Sequence, residues 1–223
     1  MLVSLTTIPP RAKHIDVIIR NLLNQTVKPD EIILNICEEY HRFPNQKIEL
    51  SSYVEKHVTI NYCKDYGPIC KITGAADNCG PIMIIDDDSI LPRNSVETYL
   101  KYLELLPNSA LCFRGKKISG KRYNETPNIF CHEIKTPIPI NLITHVWSAC
   151  YDCDMLKDIS VDGYCHNDDV VVSGTLHKSG TAIHVIPNNY QCSPTDQHAN
   201  NDLWSINRVS NYTDDLIKQY YNF

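Results

Sequence analysis

Apolar residues recur along this chain with two periods. Leu2-Val3-Ser4-Leu5-Thr6-Thr7-Ile8 is apolar and β-branched and stops at Pro9-Pro10, which predicts a first strand. Ile15, Ile18, Ile19, Leu22 and Leu23 then fall at i, i+3, i+4, i+7 and i+8, one apolar face of an amphipathic helix. Lys28-Pro29-Asp30 turns the chain into a second strand, Glu31 to Cys37. Strand, helix and strand in succession predict a βαβ unit with a right-handed crossover and a parallel pair. Val58 to Tyr62 predicts a third strand and Pro81 to Ile85 a fourth.

Helical spacing returns at Val96, Tyr99, Leu100, Leu103 and Leu106, with Asn94 and Glu97 at capping-box spacing before it and Pro107-Asn108 after it. Ala110 to Arg114 reads as a strand. Between Gly115 and Thr144 the periodicity dissolves into loops, with an antiparallel hairpin expected over the site. Val146 to Tyr151 is strand-like, a helix is expected from Asp168-Asp169 through Val170 to Lys178, and Thr181 to Ile186 is a closing strand. The sum is an α/β chain with a mostly parallel central sheet flanked by helices.

Composition narrows the class. At 223 residues, with 43% hydrophobic and 21% charged residues, the chain suits one folded domain. A net charge of -5 with scattered Lys and Arg gives no footprint for nucleic acid. No apolar run approaches the ~20 residues of a membrane span, and no leader precedes the first strand, so a cytoplasmic protein is expected. The ten cysteines, dispersed rather than framed, are expected as free thiols. Cys150-x-x-Cys153, with Cys165 and His166 beyond it, lacks a second pair at zinc spacing.

The chemistry gathers after the fourth strand. Asp86-Asp87-Asp88 places three repelling carboxylates at a strand end, where they are either a solvated acidic turn or a site for a cation. Hard oxygen ligands suit Mg²⁺ or Mn²⁺. If strand alternation continues, Asp86 and Asp88 face one way and Asp87 the other, which makes D-x-D the metal pair. Ligands of an open parallel sheet bind at the carboxyl ends of strands, so the Asp65-Tyr66-Gly67-Pro68-Ile69-Cys70-Lys71 loop and the acids should share one crevice. There Lys71 is either a surface lysine or a phosphate partner, and Asp65 either a turn former or an acceptor for ribose or base. Of Asp168 and Asp169, either complementing a helix dipole, one can serve as a general base. Asp169 is favoured, one residue before an apolar face fixed by Val170 and Val171, with Asp168 better placed to cap. His198, in a polar tail, is either a surface histidine or a further ligand for the cation.

Thr-Thr-Ile-Pro-Pro-Arg at the end of the first strand, the D-Y-G-P-x-x-K loop, the apolar strand entering Asp86-Asp87-Asp88 and the later Asn-Asp-Asp helix start together resemble nucleotide-sugar glycosyltransferases of the GT-A fold. The similarity runs from about Leu2 to Pro187, and the chain resembles in particular the small glycosyltransferase domains of large DNA viruses of algae. The resemblance implies a Rossmann-like sandwich over residues 1–223, with a nucleotide-binding half at 1–105 and an acceptor-side half at 106–223. It implies that Thr6, Thr7, Arg11, Asp65 and Lys71 hold a nucleotide-diphosphate sugar, with a UDP-sugar expected. Asp86 and Asp88 would match the D-x-D acids that bind ribose and Mn²⁺ or Mg²⁺. Asp87, the extra acid, departs from that motif and is placed with the nucleotide-sugar contacts. Asp168 or Asp169 matches the acid near the acceptor, and His198 a C-terminal metal ligand found in some members. The implied activity is a hexosyl- or deoxyhexosyl-transfer to a glycan or glycoprotein, in the host cytoplasm if the protein is viral.

Two alternatives stand beside it. In a haloacid-dehalogenase-type phosphohydrolase Asp86 would be the nucleophile and Asp88 the acid/base, although that motif normally follows the first strand and here three precede it. A non-catalytic sugar-binding module of the same fold is the other.

Overall fold

The structure, a computed structural model, describes residues 1–75, 80–120, 122–144, 148–189, 193–194 and 212–221. It opens with β1 (Leu2–Thr6), α1 (Pro9–Ala12), α2 (Ile15–Leu23), β2 (Glu31–Cys37), α3 (Ser52–His57) and β3 (Thr59–Cys63). A short α4 (Cys70–Thr73), β4 (Pro81–Ile84), β5 (Ser89–Ile90) and α5 (Ser95–Leu105) follow. Next come β6 (Ser109–Cys112), β7 (Arg114–Lys116), β8 (Asn128–Phe130), β9 (Ile138–Ile140), β10 (Leu142–Ile143) and β11 (Ala149–Asp152). The chain ends in α6 (Asp168–Lys178), β12 (Ala182–Val185), β13 (Ser193–Pro194) and α7 (Tyr212–Tyr220).

Eight strands form the central sheet in the order β3-β2-β1-β4-β11-β6-β12-β9. The first four are parallel, as the βαβ pattern predicts, with Val3 opposite Ile32 and Met83. β11 then inserts antiparallel between β4 and β6, and β9 is antiparallel to β12, so the second half of the sheet is mixed. β1, β2 and β4 are buried over nearly their whole length because both faces are covered, whereas the edge strand β3 is exposed or half-buried throughout. Val3, Leu5, Leu34 and Ile84 are fully buried in one core cluster that also takes in Ile18, Ile19 and Leu22 of α2. The expected hairpin region holds a separate antiparallel sheet, β10-β7-β8.

Asn94 and Glu97 do not form the expected capping box: Asn94 makes no side-chain bond to the start of α5. Gln25, buried at the end of α2, does that work from a distance. Its Oε1 accepts from the amides of Ser95 and Val96 at 3.0 and 3.3 Å, and its Nε2 donates to Pro92 O at 2.9 Å. Glu97 turns instead to Thr26, whose hydroxyl donates to it at 2.8 Å. The helix start is held by tertiary contact, which local spacing cannot reveal.

The eight cysteines among the described residues are free thiols, as expected. No helix among those residues is long and apolar enough to cross a membrane.

Candidate active site

The carboxyl ends of β1, β2 and β4 open into a cavity of about 860 Å³. The Asp65–Lys71 loop and the three aspartates share it, as the sequence predicts, and β7 with the start of α6 forms the opposite wall.

A buried polar network fixes the first wall. Ser4 Oγ on β1 donates to Lys71 O at 2.6 Å, and Asn35 Nδ2 on β2 donates to Ser4 Oγ and Leu5 O, both at 2.9 Å. Asn61 Nδ2 on β3 donates to Asn35 Oδ1 at 2.8 Å. A side chain at Gly74 would meet Asn35 Oδ1 at 1.7 Å, so only glycine lets α4 lie this close to the sheet. Asp65 is the turn former of the loop before α4, accepting from the amides of His41 at 2.7 Å and Gly67 at 2.8 Å. Gly67 has φ +80°, and a Cβ there would come within 2.3 Å of Cys165 O. Cys165 in turn donates its amide to Tyr66 O at 2.9 Å, which ties this loop to the segment that leads into α6.

The result is a buried Lys71 between two acids from distant parts of the chain. Its Nζ lies 2.5 Å from Asp86 Oδ1 and 2.8 Å from Asp168 Oδ2. Burial opposes the ammonium charge, but Asp168 and Asp86 outweigh it and raise the Lys71 pKa. Lys71 is therefore not a surface lysine but the centre of a carboxylate clamp that lines the cavity.

The expected alternation of the aspartates fails because β4 ends at Ile84 and the acids lie in the turn before β5. Arg11 joins Asp87 to Asp88. Arg11 Nη1 lies 2.7 Å from Asp87 Oδ1 and 3.0 Å from Asp88 Oδ2, while Thr7 Oγ1 donates to Asp87 Oδ2 at 2.6 Å. Asp87 is thus a buried anchor fastening this turn to the end of β1. Burial works against the Arg11 charge as well, and Asp87 and Asp88 overcome it, raising the pKa. Thr6 Oγ1 donates to Asn35 O at 2.9 Å and faces the same cavity.

Asp86 and Asp88 keep 27% and 19% of their side-chain surface, open to the cavity. Burial pushes the Asp86 carboxyl up to about 6; Lys71 pulls the other way, and Asp88 and Asp168 add to the rise. Arg11 and Lys71 offset two of the four negative charges on Asp86, Asp87, Asp88 and Asp168. A surplus of carboxylate oxygen is what a hard divalent cation takes, and Mg²⁺ commonly uses only one or two carboxylates beside substrate phosphates. Asp86 and Asp88 fit that donor set. His198 lies outside the described residues.

The start of α6 differs from expectation in its cap. Asn167 is the cap, its Oδ1 accepting from Val170 N at 3.1 Å, with Asp168 and Asp169 following it in the first turn. Nor does an apolar face fix the helix rotation, since Val170, Val171 and Val172 are all buried. The rotation is set by contacts on other sides. Ile143 N donates to Ser173 Oγ at 2.8 Å, and a Cβ on Gly174 would fall 2.2 Å from the ring of Tyr220 on α7. With the helix so placed, Asp168 turns to Lys71, while Asp169 lies in the field of Lys116 and Tyr123 across the cavity.

Lys116 and Arg114 on β7, with Tyr123, are cavity residues that sequence reasoning missed. They lie where periodicity dissolves, and only strand alternation around Gly115 hints that the two cations share a face. Lys116 is buried, its Nζ donating to Thr126 O at 2.6 Å and Tyr123 O at 3.1 Å. Burial, helped by Arg114 and resisted by Asp169, lowers its pKa to about 8.

No family model and no curated protein matches the chain. Among solved structures it is similar to S. aureus TarS 1-349 in complex with UDP-GlcNAc, with a TM-score of 0.62 at 12% identity over 92% of this chain and 60% of that one. The complex of the same TarS fragment with UDP gives a TM-score of 0.60 at 13% identity over 93% of this chain and 63% of that one. This is a GT-A fold. The chain spans less than two thirds of the TarS fragment, and 42% of a longer TarS structure that it matches with a TM-score of 0.59. In GT-A terms, the cavity lies at the carboxyl ends of the parallel strands, where α/β sheets hold their ligands.

Proposed function

We propose that the chain is a glycosyltransferase that moves a sugar from a UDP-sugar to a hydroxyl of a glycan or glycoprotein, with Mn²⁺ or Mg²⁺ held by Asp86 and Asp88. The observation that carries this reading is the Asp86–Lys71–Asp168 clamp beside Arg11 and Asp88, at the carboxyl edge of a GT-A sheet. The TarS structures with UDP-GlcNAc and UDP support the choice of donor. The D-x-D acids follow the fourth strand rather than the first, so position lends no support to a haloacid-dehalogenase reading.

In this reading residues 1–105 bind the nucleotide and the rest of the chain binds the acceptor. Thr6, Thr7, Arg11 and Asp65 line the end of the cavity nearest β1 and β2, where the nucleoside lies. The cation, when bound, offsets the charge that develops on the departing diphosphate. Lys71, held by Asp86 and Asp168, adds its positive charge to the field at that edge of the cavity. Asp87 keeps the D-x-D turn in place through Arg11 and Thr7. Asp169 takes the proton from the attacking hydroxyl, and the hydroxyl oxygen displaces UDP from the anomeric carbon, which inverts it.

The test is a panel of nucleotide sugars, each with and without Mn²⁺ or Mg²⁺, read by thermal shift and by release of UDP. Cation-dependent stabilisation by a UDP-sugar together with slow UDP release supports the proposal. No response to any uracil nucleotide with either cation overturns it.

A further inference from the structure

Three of the free cysteines meet at the end of the cavity nearest β2, where Cys37 lines it. Cys37 ends β2, Cys63 ends β3 and Cys70 begins α4, and their sulfurs all lie within 4.8 Å of one another. Cys37 Sγ and Cys70 Sγ are 3.8 Å apart, in contact without a bond. In a tetrahedral zinc site with Zn–S bonds of about 2.3 Å, two sulfurs stand about 3.8 Å apart. Cys37 and Cys70 therefore already have the spacing of two corners of such a site, with Cys63 Sγ within 4.8 Å of both.

We infer that Cys37, Cys63 and Cys70 form a trithiolate site for a thiophilic divalent cation of the zinc type, separate from the oxygen site at Asp86 and Asp88. The surroundings suit thiolate ligands. Tyr66 N donates to Cys70 Sγ at 3.3 Å, the kind of amide-to-sulfur bond that stabilises a bound thiolate. Cys63 is half-buried and gives a path for entry, whereas Cys37 and Cys70 are buried. The fourth position falls to water or another small donor. The ion types do not compete, since thiolates select soft and borderline cations and the aspartates select hard ones.

The site would join the ends of β2 and β3 to the residue next to Lys71. A bound cation would thus stiffen the wall of the cavity, and the inference does not depend on which donor the cavity takes.

The experiment uses the reduced full chain titrated with Co²⁺, whose thiolate complexes give intense charge-transfer absorption that oxygen ligands at Asp86 and Asp88 do not. One equivalent should develop the band, Zn²⁺ should abolish it by displacement, and Cys63→Ser should weaken Co²⁺ affinity at least tenfold. Cys153→Ser, beside Asp152 and Asp154, should leave the band unchanged. A second readout needs no variant: Zn²⁺ should protect the Cys37, Cys63 and Cys70 peptides of the native wild-type protein from alkylation. Absence of the band in wild type, its persistence at full strength in folded Cys63→Ser, or alkylation of these cysteines unaffected by Zn²⁺ would each overturn the inference.

Discussion

Asp168 and Asp169 are neighbours in sequence with different partners, and their variants should separate. Asp169→Asn should leave UDP-sugar binding intact and slow transfer by about a hundredfold or more, the usual scale for a lost general base. Wild-type transfer by that variant in a single-turnover assay would remove Asp169 from the chemistry. Asp168→Asn takes one carboxylate from the buried Lys71, so it should cost about 1.5–3 kcal/mol in urea unfolding and weaken donor binding as well. Lys116 supplies a pH test. Its folded pKa of about 8 lies below the ~10.4 of an unfolded lysine, so between those values the unfolded chain binds more protons and stability rises with pH. The rise is at most about 1.4 kcal/mol per pH unit. Lys116→Met removes it, and the wild-type stability relative to this variant should therefore grow from pH 8 to pH 10; a flat difference would show that the ammonium is not depressed.

Among the elements, α5 and α4 are held by single residues on other parts of the chain. Gln25→Ala strips the buried amides of Ser95 and Val96 of their acceptor, and a cost of about 1–3 kcal/mol is expected from urea denaturation. Asn94→Ala, at the position that local spacing names as the cap, should be close to neutral. Gly74→Ala forces α4 off Asn35 and should cost about 1–3 kcal/mol as overpacking, with donor affinity falling because Lys71 moves with the helix. Loss of stability without loss of affinity would separate α4 from the site.

At the scale of the whole molecule, the cavity draws its walls from both halves of the chain: β1, β2, α4 and the aspartate turn on one side, β7 and α6 on the other. Ligand that binds only the native state adds RT ln(1 + [L]/Kd), about 2.7 kcal/mol at a hundredfold excess. With Mn²⁺ or Mg²⁺ present, UDP should therefore raise Tm by several degrees, and Asp88→Asn should abolish the cation-dependent part while the apo protein stays folded. A variant that unfolds instead would make Asp88 a structural residue.

Where the period was long and local, the sequence by itself determined the answer. The parallel strands β1 to β4, α2 and the meeting of the Asp65–Lys71 loop with the aspartates at one sheet edge follow from apolar runs, helical spacing and turn residues. Partners separated by tens of residues are a matter of packing, and there the tertiary structure decided. It made Asp87, expected on the face opposite Asp86 and Asp88, the anchor of the D-x-D turn, gave the cap of α6 to Asn167, and brought Lys116 to Asp169 from a stretch without periodicity. The insertion of β11 antiparallel between β4 and β6 is of the same kind, because a short apolar run fits either direction and only its neighbours in the sheet choose one.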